Sequence, residues 1–348
     1  MPGFESIIDQ ERPIRILTTF LQKGTIPHAL LFTGIEGVGK ERAAAAFAMA
    51  CNCTRDGTGY IPDWENTRKT NRCSAPIRPM PAIPCGDCKS CRKIQTHNHP
   101  DIIRVKPSGP FIKIDQIRTL CQALTMRPYE ANIRVVIISD AQAMNPAAGN
   151  ALLKVLEEPP ARTHLILVTE HPSDLLPTII SRCQHIRFKP ISQKNIESVL
   201  VRLHGLNPAD AQIIAGMAGG SLSRALGMYG SNWINRRNWL INELDNLSAG
   251  PSNRLLAFGE QLSKNKEMLP AVLEVMKSWM RDLVIEKVYP DKIINQDLTA
   301  TIRQASRKMS MDLLLEKIET IQSTQHAIKA GTNLRLAMEA MVLKLAQV

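Results

Sequence analysis

Aromatic residues are scarce: among 348 residues there are only 4 Trp, 4 Tyr and 7 Phe. That argues against the stacked rings that bind single-stranded nucleic acid. Long apolar runs are also missing, and none approaches the roughly 20 residues of a membrane span. The opening, MPGFESIIDQERP, lacks the basic-then-apolar order of a secretion signal. A cytoplasmic location is therefore expected. No collagen-like, disordered or solenoid pattern is present.

What is present reads as globular. Apolar residues make up 44% and charged residues 22% of the chain, enough for real cores. The length suggests two or three domains. The net charge is +11, with +6 over residues 1–188, +2 over 189–231 and +3 over 232–348. Such a diffuse excess suits a polyanion such as DNA, or simply a basic surface. Arg127 and Lys154 are candidates for DNA contact or for a solvated surface.

The first half alternates β-type and helix-type runs. Ala29–Thr33 (ALLFT), Arg134–Ser139 (RVVIIS) and His164–Thr169 (HLILVT) are continuous apolar runs, as in a buried parallel sheet. Glu41–Ala50 and Asn150–Glu157 read as helices between them. The pattern predicts an α/β parallel-sheet domain over 1–188. Residues 55–84 break it with an irregular insertion, inside a module of about 51–95. After Pro190 only helical patterns remain. Residues 189–231 read as a small helical domain with a glycine-rich joint at 216–221, and 232–348 as a helical C-terminal domain suited to assembly. There Leu334, Met338, Met341 and Leu345 form one apolar face.

Gly34-Ile-Glu-Gly-Val-Gly-Lys-Glu41 follows the first β-type run and opens a helix, the setting of a phosphate-binding loop. Gly34, Gly37 and Gly39 let backbone N–H groups face phosphates, and Lys40 would reach the β- and γ-phosphates. The next position should be Ser or Thr, to hold Mg²⁺. Glu41 stands there instead. Asp140 ends the second β-type run, as an acid near a metal or as a turn former. Ala141 follows it where many such ATPases carry an activating glutamate. Two positions thus lack hydrolytic chemistry, and the loop is compromised for ATP.

Of eight cysteines, three form C-x₂-C-x₂-C: Cys85, Cys88 and Cys91. In a reducing compartment that clustering points to metal. Zn²⁺ needs a fourth ligand, and Cys51, Cys53, Cys73, His97 and His99 are available. A ferredoxin-type cluster would need a fourth Cys after three residues, where Gln95 stands. Buried free thiols are the alternative to metal. Cys121 lies in a helix-like run and reads as core. No His or acid is placed by sequence to make Cys183 a nucleophile.

IPHALLFTGIEGVGK, CGDCKSC, NALLKVLEEPP, Ser181-Arg182-Cys183 and TNLRLAMEAMVLKL together resemble bacterial clamp-loader subunits of the AAA+ class. The resemblance covers nearly the whole chain. It implies an AAA+ P-loop domain, a helical lid (189–231) and a helical collar (232–348). It also implies a five-subunit loader that places a sliding clamp on primed DNA within the DNA polymerase III holoenzyme. Motor members, gamma and tau, carry GK[ST] and an Asp-Glu pair. Gly39-Lys40-Glu41 and Asp140-Ala141 instead imply a non-motor member, not an ATPase by itself, with gamma/tau and delta as partners. In the family the SRC arginine reaches a neighbour's ATP site, which implies that role for Arg182. Read alone, Arg182 is a surface arginine with a local salt bridge. The family's first cysteine follows Asn, which implies Cys53 as the fourth ligand of a structural zinc. Motor subunits also carry a nucleotide-sensing arginine after GS. Here the matching position is Ser223, and Arg224 is rotated about 100° from it. Two alternatives remain: a gamma/tau-like motor, and a zinc-bearing DNA-binding regulator, for which no recognition-helix signature is found.

Overall fold

Five short strands build one parallel sheet: β1 Ala29–Thr33, β2 Ile102–Val105, β3 Arg134–Ile138, β4 Thr163–Thr169 and β5 Gln184–Arg187, in the order β2-β3-β4-β1-β5. Every residue of β1, β3 and β4 is buried, as expected of central strands covered on both faces. Register is set by Leu31 opposite Leu167 and His185, and by Val136 opposite Ile103 and Leu165. In this computed structural model the described residues are 3–54, 83–230, 233–245, 247, 251–266 and 268–347. Positions 55–82 of the expected insertion, Cys73 among them, lie outside these residues.

The chain divides into two compact units, Met1–Asn195 and Ile196–Val348. In the first, α1 Glu11–Lys23, α2 Lys40–Asn52, α3 Lys89–Gln95, α4 Ile114–Thr125, α5 Pro146–Glu157 and α6 Pro177–Ile180 surround the sheet. One face of the core joins Leu31, Val136, Ile138 and Leu167 to Ile117 and Leu120 of α4 and Leu152 and Leu156 of α5. The ends of this unit are tied together. The Gln10 side chain donates to Lys189 O at 2.7 Å and accepts from Lys189 N at 3.0 Å. Asp9 accepts from Ser192 N at 2.7 Å and from the Asn195 side chain.

The remaining helices are α7 Gln193–His204, α8 Pro208–Met217, α9 Leu222–Tyr229, α10 Trp233–Asp245, α11 Ser252–Ser263, α12 Leu269–Val288, α13 Thr299–Arg307, α14 Met311–Lys329 and α15 Leu334–Ala346. The expected C-terminal stripe is apolar packing: Met338, Met341 and Leu345 are buried, Leu334 is half-buried, and Val342 widens it. Gly259 lets α11 meet α15, since a Cβ there would lie 2.8 Å from Glu339 Cα. Lys317 is buried and donates to Leu345 O at 2.5 Å and Gln347 O at 3.0 Å, satisfying carbonyls at the end of the last helix. No helix among the described residues is long and apolar enough to cross a membrane.

Candidate functional site

The carboxyl ends of β1, β3 and β4 gather the residues singled out in the sequence, as open α/β sheets commonly do. The loop after β1 requires glycine. Gly34 has φ of +144°, and a Cβ there would stand 2.7 Å from Phe188 O. Gly39 has φ of +98° and N-caps α2, with Ile7 close against it. Gly37 also has positive φ, at +77°. The backbone of a phosphate loop is therefore formed.

Its lysine is engaged internally. Lys40 is 6% exposed, and its Nζ donates to Gly34 O at 2.5 Å and Ile35 O at 2.7 Å. Burial lowers its pKa, opposed by the carboxylates of Glu170, Asp140, Glu36 and Glu41. Four carboxylates thus act on one ammonium, each favouring its charged form. Glu41 is exposed and faces Lys106 at 3.8 Å. Asp140 sits just past β3 with φ of +50°. It precedes a single helical turn, Ala141–Ala143, and its carbonyl accepts from Ala143 N at 2.8 Å. Ala141 is wholly buried in the core, pointing away from solvent. Glu170, which follows β4, was missed in the sequence. Its position directly after an apolar run was the available signal.

Arg182 lies in the turn between α6 and β5. Its Nη2 forms an ion pair with Glu157 Oε1 at 2.8 Å, and its Nη1 donates to Thr178 O at 2.9 Å. The local salt bridge expected of a surface arginine is thus present, and the side chain remains 35% exposed. Ser181 Oγ donates to Thr178 O at 3.1 Å. Cys183 packs on the core, and burial pushes its thiol up to about 12, which makes it a poor nucleophile. Both neighbours therefore anchor the arginine's backbone. Cys121 likewise packs against the core, half-buried. Arg127 is exposed just beyond α4, and Lys154 lines a groove between α4 and α5. Arg224 lines a cavity of about 430 Å³ in the second unit, with Trp233, Lys277 and Arg281. Ser223 shares a hydrogen bond with Ser221.

The sulfurs of Cys53, Cys85, Cys88 and Cys91 all lie within 4.8 Å of one another. Tetrahedral Zn–S bonds of about 2.3 Å place sulfurs about 3.8 Å apart, so a contraction of about 1 Å closes the set. Backbone N–H groups already point at the sulfurs: Cys85 N to Cys53 Sγ at 3.3 Å, Cys88 N to Cys85 Sγ at 3.4 Å and Cys91 N to Cys88 Sγ at 3.5 Å. Burial acts to raise the Cys88 thiol, but hydrogen bonds with Thr54 and Cys91 outweigh it and bring it down to about 6. This donor set fits a thiophilic metal ion.

The contacts of Asn52 explain why an asparagine precedes Cys53. It is buried at the end of α2, donates to Ala48 O and Ile133 O, and accepts from Ile133 N at 3.1 Å. That fixes Cys53 relative to β3. Cys51 points into the core, and burial raises its thiol far above the ordinary range. Neither histidine joins the cluster among the described residues. His99 is buried and its Nδ1 accepts from Asp101 N at 3.2 Å. Asp101 in turn accepts three backbone bonds of 2.8 Å, from Tyr129, Glu130 and Ala131.

A parallel sheet with a glycine loop after its central strand, followed by a helical unit, defines a P-loop α/β protein of AAA+ type. The chain belongs to the DNA polymerase III delta subunit family: the model described as "DNA polymerase III, delta subunit" matches residues 9–192, and that for its C terminal matches residues 231–347. Among curated relatives, DNA polymerase III subunit delta' of Bacillus subtilis is 29% identical, over 97% of this chain and 96% of its own. Subunit tau of the same organism is 26% identical, over 99% of this chain and 61% of its own. Among solved structures, a DNA polymerase III gamma-subunit-related protein from Thermotoga maritima is 15% identical, with a TM-score of 0.39, covering 97% of this chain and 99% of its own.

Proposed function

We propose that the chain is a delta'-like, non-motor subunit of a DNA polymerase III clamp loader, and that it assists ATP hydrolysis on a neighbouring subunit through Arg182. The observation that carries this reading is the state of Lys40. The one cation of the glycine loop is bonded to the loop's own carbonyls amid four carboxylates. With Glu41 and the buried Ala141, it leaves the chain without hydrolytic chemistry. Arg182 keeps a partly exposed side chain on the turn between α6 and β5. Arginines supplied to a γ-phosphate in this way accelerate transfer by roughly 10³–10⁵.

On this reading the partners are gamma/tau and delta in a five-subunit assembly, acting on a sliding clamp and primed DNA. Residues 189–231 act as a lid and 232–348 as a collar. Cys53, Cys85, Cys88 and Cys91 hold a structural Zn²⁺, whose four thiolates leave no open position for catalysis. DNA is met through phosphate contacts, with salt-dependent and sequence-blind binding.

The test is DNA- and clamp-stimulated ATP hydrolysis by a loader reconstituted with this chain, wild type or carrying Arg182→Ala or Lys40→Ala. The expected result is a severe loss for Arg182→Ala and near-normal turnover for Lys40→Ala. The reverse pattern makes the chain a gamma/tau-like motor and overturns the proposal.

A further inference from the structure

We infer that Glu157 is the positioning residue of Arg182, an inference that rests on the role proposed above for that arginine. Glu157 is the last residue of α5, and Pro159 and Pro160 follow it closely. Its helix is seated through Leu152, Val155 and Leu156, all buried in the core. Arg182 stands two residues beyond α6, between Ile179, buried in the same core, and Cys183, packed against it. Both ends of the 2.8 Å ion pair are therefore mounted on one packed body.

One ion pair and one hydrogen bond make this a brace. A guanidinium carries five N–H donors. The Thr178 carbonyl takes one of them, on Nη1, while the Glu157 carboxylate holds Nη2 through charge at 2.8 Å. Four remain for a phosphate. Glu157 and the Thr178 carbonyl together hold one rotamer of a long side chain, so less freedom is lost when a phosphate arrives. Such pre-organisation raises the rate at the reacting centre, and misplacement of about 1 Å can cost 10²-fold. The pair is half-exposed, with Glu157 at 51% and Arg182 at 35%. Exposed ion pairs contribute little to folding, so its loss separates positioning from stability.

The experiment uses the reconstituted loader with Glu157→Ala, Glu157→Gln, Arg182→Ala and the Ala double variant. The readouts are kcat and KM for ATP, with Tm and assembly as controls. Glu157→Ala should lower kcat about tenfold with KM within about twofold, because the contact acts on charge developing in the transition state. Glu157→Gln keeps the size of the side chain but not its charge and should recover little of the loss. The double variant should be no slower than Arg182→Ala alone. If Arg182→Ala is severe while Glu157→Ala is wild-type-like, the positioning role falls and the finger stands. If Arg182→Ala is harmless, both fall. A faster Glu157→Ala enzyme, or additive losses in the double variant, also overturns the inference.

Discussion

Cys88→Ser tests the zinc proposed for the cysteine cluster separately from the helix that Cys88 starts. Cys88 is the N-cap of α3, and its sulfur accepts from Cys91 N. Serine is a favoured N-cap, so the helix keeps its start while the proposed metal site loses a thiolate. The cluster joins Cys53 to Cys85 across 32 positions. A clip of that span removes about 12 cal/mol/K of unfolded-chain entropy, or about 3.7 kcal/mol at 25 °C. For a unit of the size of Met1–Asn195, a change of that magnitude moves Tm by about 7–15 °C. Metal analysis and calorimetry read both quantities. Wild type should carry a single zinc per chain, and Cys88→Ser should carry none. The variant should melt about 7–15 °C lower, and a strong chelator should impose the same shift on wild type only. A wild-type chain without stoichiometric metal refutes the reasoning. So does metal loss with a shift under about 2 °C.

Asp101 gives a prediction with a pH signature. Burial acts to raise its pKa, but the three backbone N–H donors and then Arg134 outweigh it and hold it below the ordinary 3.8. A depressed carboxylate stabilises the fold above its unfolded pKa, and that contribution fades as pH falls through the folded value. Asp101→Asn should therefore cost about 1.5–3 kcal/mol at pH 7, with the Tm gap from wild type narrowing towards pH 3. A gap independent of pH would contradict this. Ala141→Glu should not create an ATPase. It forces a carboxylate into a filled core and should cost about 3 kcal/mol or more in denaturant melts. Any gain of ATP turnover would show that position 141 opens towards the loop.

The fold was legible where the physics is local. Continuous apolar runs marked β1, β3 and β4, and glycine spacing marked the loop after β1. The strands β2 and β5 were not expected, because each is only four residues long, and β5 exposes all but Ile186. The cysteine cluster was legible from spacing and family pattern, but the reason for Asn52 required the distant Ile133 backbone. Arg182 and NALLKVLEEPP were both noticed in the sequence. That Glu157 of that run bonds Arg182 is a tertiary fact that spacing alone does not encode. Lys40 was expected to face phosphates. Its bonds to the carbonyls of Gly34 and Ile35 depend on how the loop closes, which spacing does not encode.

The strand order also sets a timetable for synthesis. β1 is the first strand made, yet it lies between β4 and β5, the last two. Its partners begin at Thr163, about 130 residues after Thr33. At ribosomal speeds of about 5–20 residues per second, ALLFT waits about 7–26 s for a neighbour. During that interval an apolar, fully β-type segment has both edges open on the nascent chain, the condition in which strands pair with the wrong molecule. Expression temperature and chaperone supply should therefore govern the yield of this protein more than the stability of its finished fold.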